Sequence, residues 1–210
     1  MKTNSGIVYV VDDDAGVRRA LKRLLSAAGF EVVCFASATE YLEQDDRSQV
    51  GCLLLDVAMP GITGLDLQEA LATSGSERSI VFITGQGDVP KSVQAMKAGA
   101  VDFLTKPLDD EKLLTAVRTA IEKDRRARLS RDQRQSIEQR LATLTLRERE
   151  VLEHVVSGQL NKQIAANLGT VEKTIKVHRG RVMAKMGVDS VAELVRVAEQ
   201  AGVKPARNCS

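Results

Sequence analysis

Five short apolar runs in the first half of this chain, residues 7–11, 32–35, 52–55, 80–83 and 101–104, alternate with amphipathic stretches. An apolar run without polar alternation is a strand buried on both faces. A helix after each such strand brings the chain back to run the next strand in the same direction. The order therefore predicts an α/β unit with five parallel strands in a doubly wound sheet. Its helices are expected over residues 17–28, 39–44, 65–72, 89–98 and 111–121. Gly29, Gly75 and Gly99 serve as stops, and Asp109 or Asp110 caps the fifth helix.

What the runs end in is more specific than the runs themselves. The first stops at Asp12-Asp13-Asp14, the third at Asp56, the fourth at Thr84, and the fifth is followed by Lys106-Pro107. Ligands of such sheets sit beyond the carboxyl ends of the strands, so these side chains converge on one crevice. Several carboxylates with one ammonium make a cation-dependent anion site. An all-oxygen set suits Mg2+ (or Mn2+), which takes one or two carboxylates and keeps several waters. The expected ligands are Asp13 and Asp56, with Asp12 behind them through water and the backbone carbonyl of Ala58 as a further donor. Asp56 is then placed as a nucleophile that accepts a phosphoryl group. The cation and Lys106 would neutralise charge gathering on the transferring oxygens, and the Thr84 hydroxyl would donate to the phosphoryl group.

Duller roles compete at each position. A strand-end Asp is often a helix cap, and that role is preferred for Asp14. A lone Lys or Thr carries no information, but acid, acid, hydroxyl and ammonium on four strand ends do. A phosphatase of the haloacid dehalogenase kind needs a second acid two residues after its nucleophile, to protonate the leaving group. Ala58 stands there instead, and the chain is not read as an enzyme.

Charge divides the 210 residues in two, a length that allows two small cores. Residues 1–120 carry 12 Lys and Arg against 17 Asp and Glu, whereas residues 121–210 carry 18 against 11. An acidic half joined to a basic half assigns nucleic acid to the second alone. The expected organisation is a phosphoacceptor unit over 1–121, a charged helical linker over 122–143 and a helical DNA-binding unit over 144–210. The linker lacks the Gly and Pro of a flexible coil and is read as a solvated continuation of the fifth helix. Ile121, Leu129, Ile137, Leu141 and Leu144 are spaced too irregularly for a coiled coil. No stretch of about 18 apolar residues occurs and no basic-then-apolar leader, so no membrane contact and a cytoplasmic location are expected. Cys34, Cys52 and Cys209 are too scattered for a disulfide framework or zinc. His154 and His178 are too few for a histidine metal site or a Ser-His-Asp triad.

Beyond residue 121 no strand-like run occurs. Helices are expected over 147–157, 161–168, 171–186 and 190–200, punctuated by Gly158, Gly169 and Gly187. At about 100° per residue, the third puts Val171, Ile175, Val182 and Met186 in one apolar stripe. Lys173, Lys176, Val177 and Gly180 lie opposite, with Arg179 and Arg181 on the flanks. Preceded by a short helix and a tight turn at Gly169, this is a recognition helix for the DNA major groove. Lys176 and Val177 are placed for base edges, and Lys162, Arg179, Arg181 and Lys185 for phosphates. A basic helix face is more often simply solvated; the docked stripe behind this one argues against that. His178 falls near the stripe, in a packed or hydrogen-bonded role.

Residues 7–121 resemble the receiver domain of bacterial two-component response regulators. The resemblance is carried by Val10-Val11-Asp12-Asp13, Leu54-Leu55-Asp56 followed by Met59-Pro60-Gly61 and Gly64, Thr84-Gly85, Ala98-Gly99-Ala100 and Lys106-Pro107. It is strongest to the FixJ type over residues 84–90 and 95–103. The resemblance implies a flavodoxin-like fold, a sensor histidine kinase as phosphoryl donor, a requirement for Mg2+ and self-catalysed transfer. It also implies Asp56 as phosphoacceptor, Asp12 and Asp13 as metal residues, Thr84 and Lys106 as phosphoryl sensors, Phe103 as the switching aromatic and a cis Lys106–Pro107 bond. A phosphoryl group that draws Thr84 inward would vacate space for Phe103 and repack the fourth helix and fifth strand. A dimer contact near residues 88–104 is the expected result.

Residues 145–200 resemble the LuxR-type helix-turn-helix of the FixJ/NarL regulators. They do so through Leu144-Thr145, residues 147–152, Gly158, residues 161–165, Leu168-Gly169, residues 174–179 and residues 183–188. Lys173 and Thr174 complete the expected DNA contacts. Val171 departs from the pattern, which prefers a Ser cap, so Thr170 is expected to cap instead. Gly180 departs too, leaving a groove-facing position without a side chain at about 1 kcal/mol of helix propensity. A sigma-factor region resembles these helices but would not follow an acidic sheet unit. A receiver that serves only as an interaction scaffold is the other alternative. The combined expectation is a transcription regulator phosphorylated on Asp56, dimeric when phosphorylated, that binds promoter DNA and works with RNA polymerase to activate transcription.

Overall fold

The computed structural model describes residues 6–44, 48–85 and 89–206. Cys209 and residues 86–88 of the motif over 84–90 lie outside the described residues. The chain forms two compact units, Met1–Arg128 and Leu129–Ser210.

The first unit runs β1 (Ile7–Val11), α1 (Ala15–Ala27), β2 (Glu31–Phe35), α2 (Ala38–Gln44), β3 (Gly51–Asp56), α3 (Gly64–Thr73), β4 (Ser79–Thr84), α4 (Val89–Lys97), β5 (Asp102–Thr105) and α5 (Asp110–Ala142). All strand pairs are parallel, in the order β2-β1-β3-β4-β5. The unbroken apolar runs did what they predict: β3 and β4 are buried at every residue, and the edge strands β2 and β5 only in part. Alternate residues serve opposite faces. Tyr9, Val11, Leu53, Leu55 and Phe82 enter a core with Leu67 and Leu71 of α3, while Val8, Val10, Leu54, Val81 and Ile83 enter one with Leu21 and Leu25 of α1 and Leu113 and Val117 of α5. Each fully buried Leu or Val contributes about 1.5–3 kcal/mol, so the two cores fix the sheet between its helices.

Caps follow the sequence. Asp14 accepts from Gly16 N–H at 2.6 Å and Val17 N–H at 3.1 Å, the cap role expected for it. Those backbone hydrogen bonds hold its carboxyl below the usual range. Asp109 accepts from Lys112 N–H at 2.9 Å and opens α5. That helix then continues for 33 residues. Pairs Glu122 with Arg126 and Arg134 with Glu138, each one turn apart, support its charged stretch. Full solvation of the stretch does not hold, because Asp124 is 2% exposed.

The second unit is helical: α6 (Leu146–Val156), α7 (Asn161–Asn167), α8 (Glu172–Met186) and α9 (Val191–Gln200). Its core joins Ile137, Leu141 and Leu144 to Val151, Leu152, Ile164, Ile175, Val182, Met186 and Leu194. Leu129 of the sparse stripe stays exposed. Thr145 and Glu148 form a reciprocal capping box on α6. The expected Thr170 cap is not found. Val171 is the N-cap of α8, makes no side-chain cap bond and is 64% exposed, so it also leaves the apolar stripe. A residue at the cap has non-helical backbone and no longer follows the 100° period. Among the described residues no helix is long and apolar enough to cross a membrane.

Candidate functional site

Four parallel strands deliver one group each to the carboxyl edge of the sheet. Asp12 follows β1, Asp56 ends β3, Thr84 ends β4 and Lys106 follows β5. The neighbours β1 and β3 flank the point where the strand order reverses, which is where such sheets open a crevice. Asp12 is 2% exposed and Asp56 and Thr84 are 5% exposed. The Lys106 ammonium bridges the two acids, 2.9 Å from Asp12 Oδ2 and 2.8 Å from Asp56 Oδ1. The remaining oxygens also have donors: Asp14 N–H to Asp12 Oδ1 at 2.8 Å and Ala58 N–H to Asp56 Oδ2 at 2.6 Å. Lys106 is positioned by its own N–H, which donates to the Thr84 carbonyl at 2.7 Å, and the bond that follows it, to Pro107, is cis.

Electrostatics follow from this geometry. Partial burial pulls the Lys106 pKa down, but hydrogen bonds to Asp56 and Asp12 outweigh it and leave the ammonium above its usual value. Two carboxylates facing one ammonium leave an excess negative charge in a nearly dry crevice lined with oxygen donors, which fits a hard divalent ion. The expected ligand set is not assembled as one cluster, however. Asp13 is exposed, and no group of three or more His, Cys, Asp or Glu able to hold a metal occurs among the described residues. The reason is local: Asp12 and Asp56 are both turned onto Lys106, which lies between them.

The expected switch aromatic sits at the edge strand β5. Phe103 pairs with Phe82 in the β4–β5 register, its ring 6.0 Å from the Phe82 ring, and is partly buried. Beside it, α4 buries Ala95 but exposes Val89, Val93 and Met96, three apolar residues at helical spacing. Gln68 is a residue the sequence did not reveal. Buried on α3, it donates to the carbonyls of Ala95 at 3.1 Å and Ala98 at 3.3 Å and so fastens the end of α4.

In the second unit α7, the Gly169 turn with φ 61° and α8 form a helix-turn-helix. A left-handed φ there is what favours Gly. Ile175, Val182 and Met186 dock α8, and Lys173, Lys176, Val177, Gly180 and Arg181 are exposed, as is Lys162 on α7. Thr174 is partly buried. Two expected phosphate contacts are engaged inside the unit. Arg179 donates to Asn161 Oδ1 at 2.5 Å and ties α8 to α7. Lys185 donates to Glu148 Oε2 at 2.6 Å and the Thr143 carbonyl at 3.0 Å and so ties α8 to the start of α6. Glu148 is buried, and its hydrogen bonds from Lys185 and the Thr145 N–H lower its pKa to about 2. The capping-box spacing of Thr145 and Glu148 was the available signal. His178 is partly buried and its Nδ1 has no hydrogen-bond partner among the described residues, which makes its role packing.

Comparisons with known proteins match both units. Residues 8–118 match the response regulator receiver domain, and residues 142–198 match the bacterial regulatory proteins of the luxR family. Nodulation protein W of Bradyrhizobium diazoefficiens is 45% identical over 96% of this chain and 88% of its own length. The transcriptional regulatory protein FixJ of Azorhizobium caulinodans is 44% identical over 95% and 94%. Among solved structures, the response regulator StyR matches with a TM-score of 0.85 at 45% identity, over 92% of this chain and 98% of that one.

Proposed function

The chain belongs to the two-component response regulators that join a receiver to a LuxR-type DNA-binding domain, and on that premise we propose that a phosphoryl group on Asp56 switches its grip on a promoter. The observation that carries the proposal is the Lys106 ammonium held between two buried strand-end carboxylates. The donor is a phosphohistidine of a sensor kinase. An Asp56 carboxylate oxygen attacks phosphorus, the P–N bond breaks, and the histidine nitrogen leaves with the bonding pair. Asp13 and Asp56 would hold Mg2+, with Asp12 through water and the Ala58 carbonyl as a further donor. Bound there, the ion offsets charge on the phosphoryl oxygens.

Lys106 moves from the carboxylate pair to a phosphoryl oxygen. Thr84 donates its hydroxyl to another, and Phe103 turns inward into the space left behind. The repacked α4 and β5 then present Val89, Val93 and Met96 to a second copy. A dimer sets two α8 helices on adjacent half-sites, about one helical turn of DNA apart. Lys176 and Val177 meet base edges, while Lys162, Lys173, Thr174 and Arg181 meet the backbone. The dimer so placed activates transcription through RNA polymerase, in the cytoplasm. The receiver occupies 1–121, the linker 122–143 and the DNA-binding domain 144–210.

A mobility-shift titration of promoter fragments with and without acetyl phosphate and Mg2+ tests this. Phosphodonor should tighten binding, and binding should weaken steeply with salt. No DNA binding at any salt concentration would favour a receiver acting only as a scaffold.

A further inference from the structure

The buried groups used by the proposed switch lie at the carboxyl edge of the sheet; another buried acid lies at the opposite end. Asp124, on α5, is 2% exposed. Its Oδ2 accepts from the Gly51 N–H at 3.0 Å and from Arg128 Nε at 2.6 Å, with the Arg128 side chain 18% exposed. Gly51 is the first residue of β3, whose last residue is Asp56. A β-carbon at Gly51 would lie 2.3 Å from the Ile7 carbonyl oxygen, so the close approach of the backbones there leaves no room for a side chain.

Spacing makes the placement informative. Leu113, Val117 and Ile121 dock α5 on the sheet at successive turns, and Asp124 and Arg128 continue that same face at steps of three and four. Among the described residues, no other position between Ile121 and Ile137 is buried. The apolar stripe thus ends in a buried carboxylate paired with a partly buried guanidinium, at the last residue of the first unit. Apolar contact is non-directional and tolerates sliding or rotation, whereas a carboxylate shared between a strand N–H and a guanidinium has one geometry.

We propose that Asp124, with Arg128, is the positioning clasp that fixes α5 to the amino end of β3, so that the helix leading to the DNA-binding domain leaves the receiver in one register. Asp124 touches no reacting atom and acts through the helix. Its role in signalling rests on the function proposed above, whereas its role in holding the helix does not.

The test uses the full chain and the near-isosteric variants Asp124→Asn and Arg128→Gln, singly and together, with Arg128→Lys as a charge-conserving control. Amide hydrogen exchange over residues 122–136 should speed up by about tenfold or more in each single variant, with the double no faster than the faster single. Exchange in β1, β3 and β4 should stay as in the parent, and Arg128→Lys should restore protection. Phosphoryl uptake from acetyl phosphate should be unchanged, while the phosphodonor-induced gain in promoter affinity falls. Unchanged exchange over 122–136 would overturn the clasp, and so would loosening that spreads equally through the strands. Failure of the parent chain to take up phosphate would sink the proposed function and leave the exchange result standing.

Discussion

In the receiver, the residues proposed to carry the chemistry are nearly out of water: Asp12, Asp56 and Thr84 are buried, and Lys106 is held between the two acids. In the DNA-binding domain the residues proposed to meet DNA, Lys162, Lys173, Lys176 and Arg181, are exposed. A buried charge must find its partner within the fold, so its geometry is set before any ligand arrives. An exposed charge is completed by the ligand. On the proposed function, the contrast separates a device that reorganises internally from a surface completed by a polyanion. Lys185 and Glu148 cross the line, a buried carboxylate paired with a half-buried lysine inside the basic domain.

The contrast can be broken most completely at the phosphoacceptor. Asp56→Asn should abolish phosphodonor-induced dimerisation, read by sedimentation velocity, and leave basal DNA affinity intact. Next in size, Lys106→Ala strands two buried carboxylates. It should cost about 3 kcal/mol in urea unfolding, a loss that Mg2+ partly restores.

Lys185→Met sharpens the distinction between the two kinds of lysine. It should destabilise the DNA-binding domain by about 2–3 kcal/mol, since Glu148 loses its counterion, with no change in the salt slope of promoter binding. The same pair makes the domain acid-sensitive. Glu148 titrates at about 2 folded against 4.5 ordinarily, a depressed value, so its stabilisation is complete above about pH 4.5 and is lost as pH falls toward 2. Thermal melts at descending pH check this.

Lys176→Ala and Arg181→Ala should both leave folding unchanged. The first should cost about 1–3 kcal/mol on the cognate site and relax base preference, and the second should lower the salt slope by about 1. The smallest effect is at Gly180, where an added β-carbon meets nothing within 4 Å. Gly180→Ala should stabilise the domain by about 0.5–1 kcal/mol in thermal unfolding.

The same division decided what was legible in the sequence. Strands buried on both faces are written as unbroken apolar runs, and the groups at their ends are fixed by topology, so the sheet and Asp12, Asp56, Thr84 and Lys106 could be placed from residue order. The fifth helix's continuation was legible from a stretch without Gly or Pro. The burial of Asp124 was not, because nothing local distinguishes it from Glu122, which is paired on the surface. Likewise α8 presents several basic residues with one chemistry. Only packing against α6 and α7 shows that Lys185 and Arg179 have partners within the domain. Asp13 illustrates a further limit, since residue order does not tell that it is exposed while its neighbour Asp12 is buried.

The most direct measurement follows phosphoryl uptake and promoter binding in one sample. Incubated with acetyl phosphate and Mg2+, the chain should acquire a hydroxylamine-labile phosphoryl group on the peptide containing Asp56, and its affinity for promoter DNA should rise with the modified fraction. An unmodified Asp56, or a modified one with unchanged affinity, would contradict the account.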